Sequence, residues 1–176
     1  MKIRFILFVV ATILAMTSAL GQDSQSSSSA KTKYERFINR KGITVTSESF
    51  DVGEVGTDLS HVTVYAGLSY NADVPEERVK CLYVWVMGDG VGVSYVDYDE
   101  IGPLLRAIGR MRRTSSNQIR QFATRGELTV GSMPGGDQPF FFDARGLQRG
   151  RLELDSSEFR SLEAMIDSAA TLLKDK

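Results

Sequence analysis

Residues 92–113, GVSYVDYDEIGPLLRAIGRMRR, change their hydrophobic period partway along. Val93, Tyr95 and Asp97 alternate with Ser94, Val96 and Tyr98, the two-residue period of a strand buried on one face. From Ile101 the period lengthens. Ile101, Leu104, Leu105, Ile108 and Met111 fall on one side of a helix, and Arg106, Arg110 and Arg113 on the other. Asp97 is placed to cap that helix, with Glu100 three residues on completing a capping box. The acids stand where the helix dipole favours negative charge, and the arginines crowd the end that favours positive charge. Pro103 falls in the early turns, where a missing N–H costs least.

The same grammar returns at residues 151–173, RLELDSSEFRSLEAMIDSAATLL. Aligned by the cap, Asp97 matches Asp155, Glu100 matches Glu158, Ile101 matches Phe159, Leu104 matches Leu162 and Ile108 matches Ile166. Three further strand-like segments precede each copy. In the first half they are Ile43–Val52, broken by Gly53 and Gly56; His61–Tyr70; and Val79–Met87, apolar on both faces and therefore central. Asn71–Glu77, with Pro75, reads as a loop, and Gly88-Asp89-Gly90 as a hairpin turn. In the second half Gln118–Thr124, Glu127–Met133, Gln138–Asp143 and Gly150–Leu154 read as strands, with a turn at Pro134–Asp137 and a loop at Arg145–Arg149. Short meander-connected strands with two helices predict an α+β fold, mainly antiparallel with about eight strands, as a tandem β-β-β-β-α duplication.

Met1–Gly21 carries Lys2 and Arg4, an apolar run from Phe5 to Met16 and a small-residue end, the pattern of a cleavable signal peptide. The run is short for a membrane span, so no anchor is expected after cleavage, and a secreted or periplasmic location is expected. Gln22–Lys33 is a serine-rich flexible linker. Residues 34–176 then form a single α+β domain, with repeat halves 42–113 and 117–174. With Lys2 and Arg4 removed, 19 basic residues face 22 acidic ones. That near-neutral balance gives no global attraction to nucleic acid or to anionic membranes. The one cysteine, Cys81, lies in an apolar run and reads as a buried thiol.

The chain is poor in catalytic constellations. Its single histidine, His61, has Ser60 and Asp58 beside it in sequence, and such neighbours do not converge as a triad must. One histidine and one cysteine make no zinc site, and Asp97, Asp99 and Glu100 lack the spacing of a calcium loop. No cofactor is expected. Gly88–Gly92 lead into a strand rather than a helix, unlike a dinucleotide fingerprint. Arginines accumulate instead: Arg106, Arg110, Arg112, Arg113, Arg120 and Arg125 follow one another without an intervening acid. The candidate binding set is Arg106, Arg110, Arg113, Arg120 and Arg125, since planar guanidinium groups suit phosphate, sulfate and carboxylate. Trp85, Tyr83, Tyr95, Tyr98 and Phe140–Phe142 form a second candidate surface, because three consecutive phenylalanines cannot share one strand face.

A doubled β-β-β-β-α layout resembles, in topology alone, the single-stranded nucleic-acid binders of the Whirly and PUR type. No residue carries that resemblance, so no functional residue is transferred, and the leader and acidic mature charge speak against nucleic acid. The expectation is a non-enzymatic, exported binding domain with an anionic envelope component or a protein as partner. The alternatives are an envelope hydrolase using only carboxylates (Asp97, Asp99 or Glu100), and a structural subunit self-associating through a strand edge or Phe140–Phe142.

Overall fold

The computed structural model describes residues 32–113, 118–134, 140–145 and 149–176. The predicted leader and all of the linker before Thr32 lie outside the described residues. Thr32 and Lys33, assigned to that linker, begin a short helix, α1 (Lys33–Ile38). The Thr32 hydroxyl accepts from the Glu35 N–H, and the Glu35 carboxylate accepts in return from the Thr32 N–H. That reciprocal capping box satisfies two donors that a helix start otherwise leaves unpaired.

Eight strands follow in two antiparallel four-stranded sheets, each a simple meander. Sheet 1 holds β1 (Val45–Thr57), β2 (Ser60–Asn71), β3 (Val74–Met87) and β4 (Val91–Asp97). Sheet 2 holds β5 (Arg120–Ala123), β6 (Leu128–Ser132), β7 (Phe140–Arg145) and β8 (Arg149–Leu154). A helix follows each sheet, α2 (Tyr98–Arg113) and α3 (Ser156–Lys174). The fold is thus α+β with a repeated β-β-β-β-α arrangement. The strands divide into two sheets, and α1 adds a third helix.

Alternation explains the core. Val62, Val64 and Ala66 on β2, Leu82, Val84 and Val86 on β3, and Val96 on β4 point to one side of sheet 1 and are buried. Leu128 and Val130, Phe140, Phe142 and Ala144, and Leu152 and Leu154 do the same for sheet 2. The paired helix positions Ile101 and Phe159, Leu104 and Leu162, and Ile108 and Ile166 are all buried in the same cluster. Each large apolar side chain withdrawn from water contributes on the order of 2 kcal/mol. The helices are shared between halves: α3 packs on β1 and β2, whereas α2 reaches β5 and β6 as well as β3 and β4.

The sheets touch backbone to backbone. A Cβ on Gly92 of β4 would lie 2.1 Å from the Ala144 carbonyl oxygen and 2.8 Å from the Gly150 nitrogen. The Asp89 N–H donates to the Arg151 carbonyl at 3.2 Å, tying the β3–β4 turn to β8. Glycine is required at this crossing because no side chain fits between the chains.

Three local expectations change. Gly53 and Gly56 do not end β1. The strand continues to Thr57 through a bulge between Asp51 and Gly53, where Gly53 has φ +148° and faces Met165 of α3. A bulge accommodates an extra residue and needs a glycine-type conformation rather than a chain break. The loop at Asn71–Glu77 shrinks to Ala72–Asp73, with the Asn71 side-chain oxygen accepting from the Asp73 N–H at 3.1 Å. Pro75 then stands inside β3, between the Asn71–Val74 and Tyr70–Arg78 pairs, where the ladder is interrupted and its missing donor is not needed. Phe141 points to the outer side of sheet 2 yet is buried, because its ring covers Gly131 and the Arg151 guanidinium lies 4.7 Å above it. The phenylalanine run therefore presents no apolar association surface.

Candidate functional site

α2 turns its apolar stripe inward, burying Ile101, Leu104, Ala107, Ile108 and Met111, and exposes Arg106, Arg110, Arg112 and Arg113. β5 starts seven residues beyond the helix end and runs back beside it. Between them lies an open groove of about 210 Å³ lined by Ala107, Arg110, Met111, Arg120, Gln121 and Phe122. Guanidinium groups stand on both walls, Arg110 from the helix and Arg120 from the strand, while Ala107, Met111 and Phe122 supply an apolar floor. Ile119, at the groove's end in sequence, is well exposed. Among the described residues no carboxylate lies within ion-pairing distance of Arg106, Arg113 or Arg120.

The remaining arginines of the run are committed. Arg112 Nη1 meets Glu163 Oε2 at 2.7 Å and ties α2 to α3. Arg125, placed with the binding set by sequence, instead pairs with three acids: Asp99 at 2.7 Å, and Asp97 and Glu100 each at 3.2 Å. Its backbone N–H also donates to Glu100 at 2.9 Å. It sits in the β5–β6 turn and holds that turn to the start of α2. The structure thus brings Arg110 and Arg120 together at the groove, sets Arg106 and Arg113 on the neighbouring helix surface, and removes Arg125 to a structural cluster.

That cluster also corrects the predicted capping. Asp97 is 1% exposed, and its carboxylate accepts from the Lys33 and Tyr34 N–H groups at 2.8 and 3.1 Å. It caps α1, not α2. Asp155 behaves as the pattern requires, accepting from the Ser157 and Glu158 N–H groups of its own helix. Those amides, Glu158 first, hold its carboxyl below the usual carboxylate range. The Asp99 carboxyl is also held low: burial pushes it up, but bonds from Lys33 and Arg125 outweigh that. All three predicted carboxylates are engaged by fixed partners, and none lines the groove.

α1 lays Tyr34 on the outer side of sheet 1, against Tyr83 (5.3 Å between ring centres) and Tyr95 (4.8 Å). The Tyr83 hydroxyl donates to the Tyr34 hydroxyl at 2.7 Å. Burial pushes the Tyr83 and Tyr95 hydroxyls upward, and it pushes the neighbouring Cys81 thiol up to about 12. Cys81 is buried, as its apolar run predicts. His61 stands at the start of β2, with Nδ1 3.1 Å from the Thr57 carbonyl oxygen and Nε2 3.8 Å from Glu54. Among the described residues no group of three histidine, cysteine, aspartate or glutamate side chains is set to hold a metal ion, and no helix is long and apolar enough to cross a membrane.

Two features escaped the sequence. The apolar floor of the groove depends on β5 folding back along α2, which no periodicity encodes. Trp85 stands 44% exposed in the middle of β3. The sequence placed it both in a strand apolar on both faces and in the candidate aromatic surface, and could not separate the two.

No family model matches the chain, and no curated protein matches it. Among solved structures, one described as "Mutations in SsgB correlate to longitudinal cell division during sporulation of Streptomyces coelicolor" is similar over 72% of this chain and 90% of its own, at 17% identity and a TM-score of 0.28. Similarity at that level carries no inference about this chain.

Proposed function

We propose that this protein is a non-enzymatic interaction domain that binds an anionic partner at the α2–β5 groove. The observation that carries this reading is the convergence of Arg110 and Arg120 on one groove with an apolar floor, on a helix that also exposes Arg106 and Arg113. Paired guanidinium groups favour planar or tetrahedral oxyanions, and the floor favours a ligand with an apolar portion beside its charge. The apolar leader at residues 1–21 supports export, so the partner would be an envelope polyanion or an acidic protein segment. The test is fluorescence anisotropy with a panel of sulfated, phosphorylated and carboxylated oligomers, including a single-stranded oligonucleotide. Saturable binding lost in an Arg106→Ala, Arg113→Ala, Arg120→Ala variant of unchanged fold supports the reading. Binding that survives in that variant, or no binding by the parent protein, overturns it.

A further inference from the structure

The outer side of sheet 1 is not the polar face that a half-buried antiparallel sheet normally turns to water. The register sets its residues in rows across the strands. One row is Glu54, Thr63, Trp85 and Val93; the next is Asp51, Tyr65, Tyr83 and Tyr95; another is Gly56, His61, Met87 and Val91. At about 4.8 Å between strands each row spans roughly 14 Å. α1 covers only the end of this grid, where Tyr34 meets Tyr83 and Tyr95, and the Tyr83 ring leans away over Gly67. Trp85 and Val91 are left 44% and 37% exposed, with Val93, Met87 and Tyr65 half-buried beside them. Among the described residues no element lies over them.

The charge around this patch has one sign. Asp51 and Glu54 border it on β1, Asp58 stands in the β1–β2 turn and Asp89 in the β3–β4 turn, all exposed. The only lysine and arginine between 45 and 97 are Lys80 and Arg78, whose side chains donate to the Leu173 and Lys176 carbonyls at the C-terminal end of α3, while His61 of the third row lies 3.8 Å from Glu54. The protein itself already lays a helix on this sheet: α1, with Lys33 and Arg36 against the single acid Glu35, seats Tyr34 on it while Lys33 pairs with Asp99.

We propose that the outer face of sheet 1, centred on Trp85, docks an amphipathic helix of a partner protein, in line with α1, with its apolar side on Trp85, Val93 and Met87 and its lysines or arginines facing Asp51 and Glu54. A sheet with an apolar face is completed by a helix laid on it, and tryptophan is among the residues enriched at the centres of protein–protein contacts. The acidic margin selects the basic helix over an acidic one.

Trp85 is the chain's only tryptophan, so its emission reports this face directly. The purified protein is titrated with an eighteen-residue amphipathic peptide of leucine and lysine, with its leucine–glutamate counterpart, and with a scrambled leucine–lysine peptide that has no apolar side. The expected result is a saturable blue shift with the first peptide alone, and about fivefold weaker binding to an Asp51→Asn, Glu54→Gln variant. Trp85→Ala, followed by anisotropy of a labelled peptide, is expected to abolish binding while leaving the circular dichroism spectrum unchanged. Equal responses to lysine and glutamate peptides, a response to the scrambled one, no response, or full affinity in the carboxamide variant would each overturn the proposal. So would a concentration-dependent blue shift of the protein alone, which would identify the occupant as a second copy.

Discussion

Adding one methyl group at the crossing of the two sheets is the most discriminating perturbation of the fold. In Gly92→Ala the new Cβ would approach the Ala144 carbonyl oxygen to 2.1 Å, the Gly150 nitrogen to 2.8 Å and the Ala144 carbonyl carbon to 2.9 Å. All three atoms are backbone, so no rotamer change relieves the contact. A carbon and an oxygen need about 3.3 Å, so the sheets must part by roughly 1 Å, and both carry the fused core. Overpacking that displaces backbone costs about 3 kcal/mol, the upper part of the usual range. In urea unfolding, with a slope of about 2 kcal/mol per molar, the Gly92→Ala midpoint should therefore fall by roughly 1.5 M. A Gly92→Ala protein within about 0.5 kcal/mol of the parent would refute the backbone contact between the sheets.

Three further outcomes are expected. Asp97→Ala leaves the Lys33 and Tyr34 amides without their acceptor and removes one of the three acids around Arg125, so stability should fall by about 3 kcal/mol, with early loss of hydrogen-exchange protection in α1; Asp97→Asn, keeping one acceptor oxygen, should lose less. Equal protection of α1 in all three proteins would contradict that anchoring. Cys81, buried with its thiol pushed up to about 12, should resist a thiol reagent at pH 8 in the folded protein and react fully in denaturant; rapid labelling of the native state would show an open path to it. Asp99 and Asp155 both have folded values below their unfolded ones, so the unfolded chain binds more protons as acid is added. Their stabilisation should be complete above about pH 4 and lost as pH falls through the lower folded values. Asp155→Asn should flatten that acid limb, and an unchanged limb would contradict the capping.

Much of the fold was legible because its signals are local. The change from a two-residue to a helical period at Ile101, repeated at Phe159, placed both long helices, and matched positions such as Leu104 and Leu162 are buried together. The division into two sheets was not legible, since it depends on which strands pair after α2. The glycines of β1 misled because a bulge and a strand end use the same residue. Asp97 misled in a more instructive way. An acid at a strand–helix junction serves its own helix or another's equally well, and here α1 returns from 64 residues away to claim it. For the site, composition identified the arginine run, but only tertiary structure divides Arg110 and Arg120, which face the groove, from Arg112 and Arg125, which hold elements together.

The salt dependence of polyanion binding tests the central claim most directly. Affinity for a short phosphorylated or sulfated oligomer should fall at least tenfold between about 0.05 and 0.5 M salt, since exposed charge contacts are screened over that range. The Arg106, Arg113 and Arg120 alanine variant should bind weakly with little salt dependence, while Arg125→Ala should lose stability and keep the affinity. Salt-independent binding by the parent protein, or an unchanged affinity in the triple variant, would contradict the groove as the functional site.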